Sequence, residues 1–110
     1  MVQYQDATLD RVFGALADPT RRKVLESLGE GSLAVSELAE PHGMSLPGFM
    51  KHLRVLEDAG LVVARRSGRE KLHYLNPVPI RLIHDRWIDK YTERRVSALV
   101  DLKTQLEESA

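Results

Sequence analysis

The 110-residue chain contains no cysteine. This absence excludes disulfides, thiolate metal sites, cysteine nucleophiles and thiol redox sensing, and it is typical of proteins in a reducing cytosol. No apolar run approaches the ~20 residues that a membrane-spanning helix needs. The N-terminus also lacks the basic and apolar regions of a secretory signal. We therefore expect a cytoplasmic protein with no membrane partner.

The sequence also lacks the marks of an enzyme. No nucleophile and base, glycine-rich phosphate loop or cluster of carboxylates occurs at a chemically meaningful spacing. We therefore predict no catalytic residue, no cofactor and no enzymatic activity. No repeat or flexible linker appears, and 43% apolar with 29% charged residues is an ordinary globular composition. The prediction is a single domain over residues 1–110.

The chain has no net charge, since 16 basic residues match 16 acidic ones, but the charges are unevenly distributed. Residues 1–44 carry four basic and seven acidic side chains, whereas residues 45–75 carry six basic and three acidic ones. Residues 76–110 balance at six of each. The middle third therefore has a net charge of +3, and this excess suggests an anionic partner.

Apolar spacing and helix-breaking residues predict four short helices, at 9–17, 19–28, 35–40 and 46–59. Asp18-Pro19 marks a sharp corner between the first two helices. The third and fourth are separated by a short break around Gly43. Ser45 is a good N-cap for the fourth helix, and Pro47 fits its first turn.

Beyond Gly60 the apolar period changes to two, which predicts a two-stranded β-hairpin over residues 61–75. A final helix is predicted over 79–107, ~43 Å long at 1.5 Å per residue. A domain of this size has a radius of gyration of only ~13 Å, so we expect a second copy of the chain to cover the apolar side of the helix. The expected dimer interface comprises Leu9, Val12, Phe13, Ile83, Trp87, Tyr91 and Leu102.

A helix, a short turn, a second helix with a polar start and a basic hairpin together have the layout of a winged helix-turn-helix. Such a helix fits the major groove of double-stranded DNA, and the hairpin places cations on flanking phosphates. The candidate DNA-binding residues of the recognition helix are Ser45, Leu46, Pro47, Gly48, Met50, Lys51, His52 and Arg54. Those of the wing are Arg65, Arg66, Arg69 and Lys71.

Three segments in this order resemble the ArsR/SmtB family of bacterial transcriptional regulators. They are residues 15–22 (ALADPTRR), 35–39 (VSELA) and 51–62 (KHLRVLEDAGLV). The resemblance implies an α+β, mostly helical winged helix, and a homodimer built from the first and last helices. It also implies repression of transcription through a palindromic operator, whose sequence cannot be carried over because the recognition helix departs from the family at Gly48, Phe49 and Met50.

The metal-sensing role of many family members does not carry over. Those members place a cysteine pair at the start of the third helix, where this chain has residues 34–38 (AVSEL). Others bind zinc across the last helices, where this chain has His84, Asp85, Asp89 and Glu93 but no later histidine. We therefore predict no metal site. His42 and His73 are interpreted as surface or hydrogen-bonded residues.

Two alternative functions remain open. The first is a metal- or small-ligand-gated sensor that uses the last helix, which a change of operator affinity on adding Zn²⁺ or Ni²⁺ would reveal. The second is a protein-interaction module that has lost DNA binding, which Phe49 and Met50 at the groove-facing turn would allow. Absence of salt-dependent duplex binding would favour this second alternative.

Overall fold

Two helices joined at a sharp corner open the fold. In the computed structural model, which describes residues 6–88 and 93–109, helix α1 spans Asp6–Leu16 and helix α2 spans Pro19–Gly29. Asp18 caps α2, because its carboxylate accepts the Arg21 amide N–H at 3.0 Å while Pro19 occupies the first turn. The corner therefore forms at the Asp-Pro pair that predicted it.

A helix-turn-helix follows. Helix α3 spans Val35–Ala39, a 3₁₀ turn spans Glu40–His42, and helix α4 spans Leu46–Asp58. Gly43 has a φ of 59°, a left-handed conformation that favours glycine, and it ends the 3₁₀ turn. The predicted helix over 35–40 thus ends one residue early, because the chain tightens into the 3₁₀ turn at Glu40.

A small antiparallel sheet contains the predicted hairpin and one strand that was not predicted. Strand β1 is Leu33–Ala34, β2 is Val62–Ser67 and β3 is Glu70–Leu75, in the spatial order β1-β3-β2. β1 pairs with β3. Two residues are too short to show the alternation that identifies a strand in a sequence, so β1 escaped detection.

The hydrophobic core lies between the first four helices and the sheet. One side of each helix supplies it, and the start of the hairpin completes it. The buried apolar residues are Leu9, Val12, Ala15, Val24, Leu25, Leu28, Leu38, Phe49, Leu53, Leu56, Ala59, Leu61 and Val62. Asn76 fastens the end of β3 to this body, because its side-chain amide donates to the Gly60 carbonyl at 2.8 Å and its main-chain N–H donates to the Leu61 carbonyl at 2.8 Å.

The chain divides after Pro79 into two compact units. Helix α5, Val78–Ile83, crosses this boundary, a π-helical segment follows at His84–Ile88, and helix α6 spans Glu93–Ser109. Residues 89–92 lie outside the described residues, so the single uninterrupted helix expected over 79–107 stays a prediction. None of the helices described is long and apolar enough to cross a membrane.

Candidate nucleic-acid interface

The first turn of α4 is exposed, and the side chain of Ser45 caps it. The Ser45 hydroxyl accepts the Gly48 amide N–H at 3.2 Å. A Cβ added at Gly48 would lie 3.1 Å from that hydroxyl oxygen, so a side chain at this position would press on the cap. Gly48, which was predicted to contact DNA, therefore has a structural role as well, since it leaves room for the Ser45 cap.

The two sides of α4 have different environments. Phe49, Leu53 and Leu56 are fully buried and fix the helix on the core. Met50 is half-buried at the edge of this packed side. The remaining predicted DNA-binding residues that are exposed are Ser45, Leu46, Pro47, Lys51 and Arg54.

The wing, residues 62–75, carries four exposed cationic side chains, on Arg65, Arg66, Arg69 and Lys71. Its turn is built on Gly68, whose φ of 64° is left-handed, and Ser67 lies opposite Glu70. Because side chains alternate between the faces of a strand, Arg65 and Arg66 lie on opposite faces. The four wing residues therefore do not form one continuous cationic face.

Arg66 and Lys71 are directly opposite each other in the antiparallel pair. Like charges in this position repel and destabilise the hairpin. Arg65, by contrast, lies opposite the apolar Leu72. The Arg66–Lys71 pair is therefore the place in the wing where a bound anion would relieve an existing repulsion.

A polar cluster connects α4 to the corner between α1 and α2. The Arg21 guanidinium donates to the main-chain oxygens of Ala15 at 2.8 Å and Gly14 at 3.0 Å, and it lies 3.1 Å from Nδ1 of His52. Asp18 Oδ2 lies 3.7 Å from the same ring nitrogen. His52 was predicted to contact DNA, and the structure instead places one of its two ring nitrogens inside the protein's own polar network.

The Asp18 carboxyl is electrostatically perturbed in this cluster. The Arg21 amide N–H that it accepts holds the pKa of Asp18 below its ordinary value, burial opposes this shift, and the charge of the Arg21 guanidinium adds to it. A second arginine strengthens the corner, because Arg22 donates to the Leu16 carbonyl at 2.8 Å. Sequence analysis missed the structural role of both arginines, which cap the free carbonyls at the end of α1.

Two further histidines are structural. The ring of His42 stacks on Phe49 with 5.6 Å between centroids. His73, in β3, is 1% exposed, and its Nε2 lies 3.5 Å from Glu57 Oε1 at the end of α4. Its buried Nδ1 has no hydrogen-bond partner among the described residues. His73 thus connects the wing to α4. Of the two interpretations given for it, surface or hydrogen-bonded, the structure excludes the first.

No metal-binding cluster is evident among residues 6–88 and 93–109, where no three His, Asp or Glu side chains are grouped to hold an ion. His84 Nδ1 lies 3.5 Å from Asp85 Oδ1, and Arg81 occupies the same carboxylate oxygen at 3.0 Å. Asp89 lies outside the described residues, as does the side chain of Glu93. The carboxylate of Asp85 is therefore engaged in a surface ion pair.

The predicted dimer residues differ in their exposure. Leu9 and Val12 are buried within the protomer's own core, so they present no surface to a second copy, and this part of the prediction is corrected. Phe13 is 44% exposed and Trp87 41% exposed, the latter beneath the Arg86 guanidinium. Leu102 is exposed, Ile83 is half-buried, and Tyr91 lies outside the described residues.

Helix α6 places two further exposed leucines, Leu99 and Leu106, near Leu102, the α6 residue of the predicted interface. Leu99, Leu102 and Leu106 recur at helical spacing and are 65%, 51% and 64% exposed. The signal was available in the sequence as the spacing of three and four residues.

The order of these elements defines a class. A helix-turn-helix whose second helix has a serine cap and exposed cations at Lys51 and Arg54, followed by a cationic antiparallel hairpin, is a winged helix-turn-helix domain. The predicted α+β, mostly helical fold class is therefore confirmed, with β1 as an addition to the two-stranded wing.

Comparison with known proteins places the domain more narrowly. A family model described as a helix-turn-helix domain matches residues 16–65. An HTH-type transcriptional regulator of Mycobacterium tuberculosis is 37% identical over 93 residues, 84% of this chain and 86% of the relative. The transcriptional repressor SdpR of Bacillus subtilis is 35% identical over 68 residues, 62% of this chain and 76% of the repressor.

Similar solved structures belong to the same class of regulator. The crystal structure of an ArsR family transcriptional regulator is 38% identical, with a TM-score of 0.65, over 100% of this chain and 99% of that one. The solution structure of a homodimeric winged helix-turn-helix DNA-binding domain of Mycobacterium bovis, a possible ArsR-family regulator, is 29% identical, with a TM-score of 0.62, over 86% and 95%. The chain belongs to the ArsR family of transcriptional regulators, as its sequence motifs predicted.

Proposed function

We propose that the protein is a homodimeric repressor of transcription that binds a palindromic DNA operator through α4 and the wing. The observation that carries this proposal is the exposed start of α4, with its serine cap and cationic side chains, beside a wing with four exposed cations. These features occupy the part of the chain that has a net charge of +3 in a protein with no net charge overall.

The exposed first turns of α4 enter the major groove in this proposal. Lys51 and Arg54 reach phosphates or guanine edges, and Met50 covers the methyl group of a thymine. Phe49, which raised the possibility of lost DNA binding, is buried in the core and stacked on His42. It therefore leaves the groove-facing surface to its polar neighbours, which favours DNA binding over a pure protein-interaction role.

The wing contributes phosphate contacts. Arg66 and Lys71 are juxtaposed without an acidic neighbour directly opposite either of them, so a DNA phosphate between them offsets their repulsion. Arg69 lies in the turn, beyond the last paired residues, where it can reach the backbone farther along the duplex. These contacts position the protein and carry little sequence information.

The second copy covers exposed apolar residues of the first and last helices. Phe13, Trp87 and the α6 leucines supply the area, and a two-fold dimer presents two α4 helices to successive major grooves. We further propose a cytoplasmic location, because the DNA target lies there, and an activity without catalysis or a cofactor.

Fluorescence anisotropy with a labelled random-sequence duplex tests the DNA-binding part of this proposal. We expect the observed binding constant to fall steeply and log-linearly as salt rises, because bound cations displace condensed counterions. A binding constant that shows no dependence on salt, or no binding at low salt, would instead support a domain that contacts only proteins.

A further inference from the structure

We propose that His52 is a positioning residue of the recognition helix and not a DNA contact: its Nδ1 accepts a hydrogen bond from Arg21 and holds α4 against the α1–α2 corner. The proposal rests on the DNA-binding function above. It assigns to His52 a role that the helix position alone does not suggest, since His52 lies one residue from the exposed Lys51.

The partner of Nδ1 indicates its role in the contact. A guanidinium donates and never accepts, so the 3.1 Å contact between the Arg21 Nη1 atom and His52 Nδ1 requires an unprotonated Nδ1. Asp18 would instead need a proton on that nitrogen, but its oxygen is 3.7 Å away, beyond hydrogen-bond distance. We therefore assign Nδ1 as the acceptor in this contact.

Arg21 is itself rigidly held. Two of its nitrogens donate to the main-chain oxygens of Ala15 and Gly14 at the end of α1. The third contact goes to His52, on the other side of the corner. A single side chain thereby connects the end of one helix to the middle of the recognition helix. Displacing the His52 ring would therefore change the position of α4 relative to this corner.

Protonation of His52 would reverse this contact. An added proton on Nδ1 turns the ring into a donor and a cation facing the Arg21 cation, while Asp18 attracts the ring toward itself. Among the described residues these are the charged groups within ion-pair or hydrogen-bond distance of the ring. Helix α1 contributes main-chain oxygens to Arg21, β2 places no described charged group within that distance, and the α4 neighbours one turn away are Gly48, Phe49, Val55 and Leu56.

The positioning role predicts an unusual direction of pH dependence. A histidine that contacts phosphate binds DNA more tightly when protonated. A positioning His52 loses its hydrogen bond when Nδ1 gains a proton, so DNA affinity decreases at low pH. The two roles therefore predict opposite changes of DNA affinity with pH.

Three substitutions at one position separate the roles. In His52→Asn the amide oxygen takes the place of Nδ1 and accepts from Arg21 but does not titrate. In His52→Gln the amide reaches toward the place of Nε2, which a phosphate contact would use. His52→Ala removes both, and His84→Asn, in the second unit, is the control for removing a histidine elsewhere.

The experiment measures dissociation constants for a duplex enriched from a random pool by the unsubstituted protein, at about pH 6, 7 and 8 and constant ionic strength. We expect the unsubstituted protein and His84→Asn to weaken roughly threefold to tenfold from high to low pH, the size of one partly exposed charged hydrogen bond. His52→Asn should bind the duplex at high pH within about twofold of the unsubstituted protein, and its affinity should not change with pH. The His52→Gln and His52→Ala variants should bind weakly at every pH.

Two results of the binding experiment would overturn the positioning role. One is tighter binding at low pH together with rescue by His52→Gln, and the other is an unchanged pH slope in His52→Asn. Long-range ¹H–¹⁵N spectra of the free protein give a readout that needs no DNA: at about pH 8, Nδ1 of His52 should be unprotonated. If no duplex is enriched, the DNA-binding function and this role fail together, whereas a protonated Nδ1 at that pH contradicts this role alone.

Discussion

At the scale of single residues, the structure separates side chains that the sequence pattern groups together. Lys51 and His52 are neighbours on the recognition helix, yet Lys51 is exposed and His52 bonds to Arg21. His73 is in a strand of alternating exposure, and its burial follows from the register that sets it opposite Ala64 on the side of the buried Val62. That register was derivable from the Gly68 turn, but the partner Glu57 was not, because it comes from another element.

Met50 is the residue on which we expect sequence preference to depend most directly. Met50→Ala should change the ranking of operator variants by roughly 1–3 kcal/mol at one base pair per half-site, because the thioether covers a thymine methyl. Competition binding with singly substituted duplexes measures this change. If Met50→Ala leaves the ranking unchanged while Arg69→Ala alters it, we have exchanged the residue that reads bases and the one that binds phosphates.

At the scale of elements, features set by neighbouring residues were predictable, whereas contacts between distant parts of the chain were not. The Asp18-Pro19 corner, the Ser45 cap and the Gly68 turn depend on neighbouring residues, so the sequence located them. Strand β1 forms only because β3 lies beside it, and the capping of α1 by Arg21 crosses a corner. Such contacts depend on packing, which no local pattern reports.

Removing one member of the like-charge pair in the wing should change both DNA binding and stability. Lys71→Ala should lower the slope of log affinity against log salt by about one, for operator and random duplexes alike, because one phosphate contact is lost. The stability of the free protein should be unchanged or slightly raised, since the repulsion from Arg66 is removed.

Lys103→Ala is the matched control for this measurement. Lys103 is also exposed, but it lies 3.8 Å from Glu107 on α6, outside the proposed DNA-binding elements. We expect its salt slope to equal that of the unsubstituted protein. Equal slopes for all three proteins would mean that Lys71 is a solvated surface charge.

The corner should be sensitive to acid. Folding lowers the pKa of Asp18, so its contribution to stability is present above the ordinary carboxyl value of 3.8 and is lost as the pH falls through the lower pKa of the folded state. Asp18→Asn should therefore unfold at lower denaturant concentration than the unsubstituted protein near neutral pH, and the difference should shrink in strong acid. A difference that stays constant down to about pH 2 would contradict the capping role.

At the scale of the whole molecule, we expect a second copy of the chain to cover the exposed apolar residues. Trp87→Ala should weaken dimerisation by about 2 kcal/mol or more, because a large aromatic side chain leaves the interface. Sedimentation equilibrium measures the change. Thr104→Ala, which removes an exposed hydroxyl bonded to the Val100 carbonyl of its own helix, should leave dimerisation nearly unchanged. A stable monomer in the unsubstituted protein at micromolar concentration would refute this interface.

Selection from a random-sequence duplex pool by the purified protein, followed by sequencing of the bound fraction, tests the central claim most directly. A two-fold dimer with one α4 in each of two successive major grooves should enrich an inverted repeat whose half-sites are centred about one helical turn apart, roughly 10 base pairs. Scrambling one half-site should then abolish tight binding. Enrichment of no common sequence, or of a single unrepeated site bound by one protomer, would contradict the account.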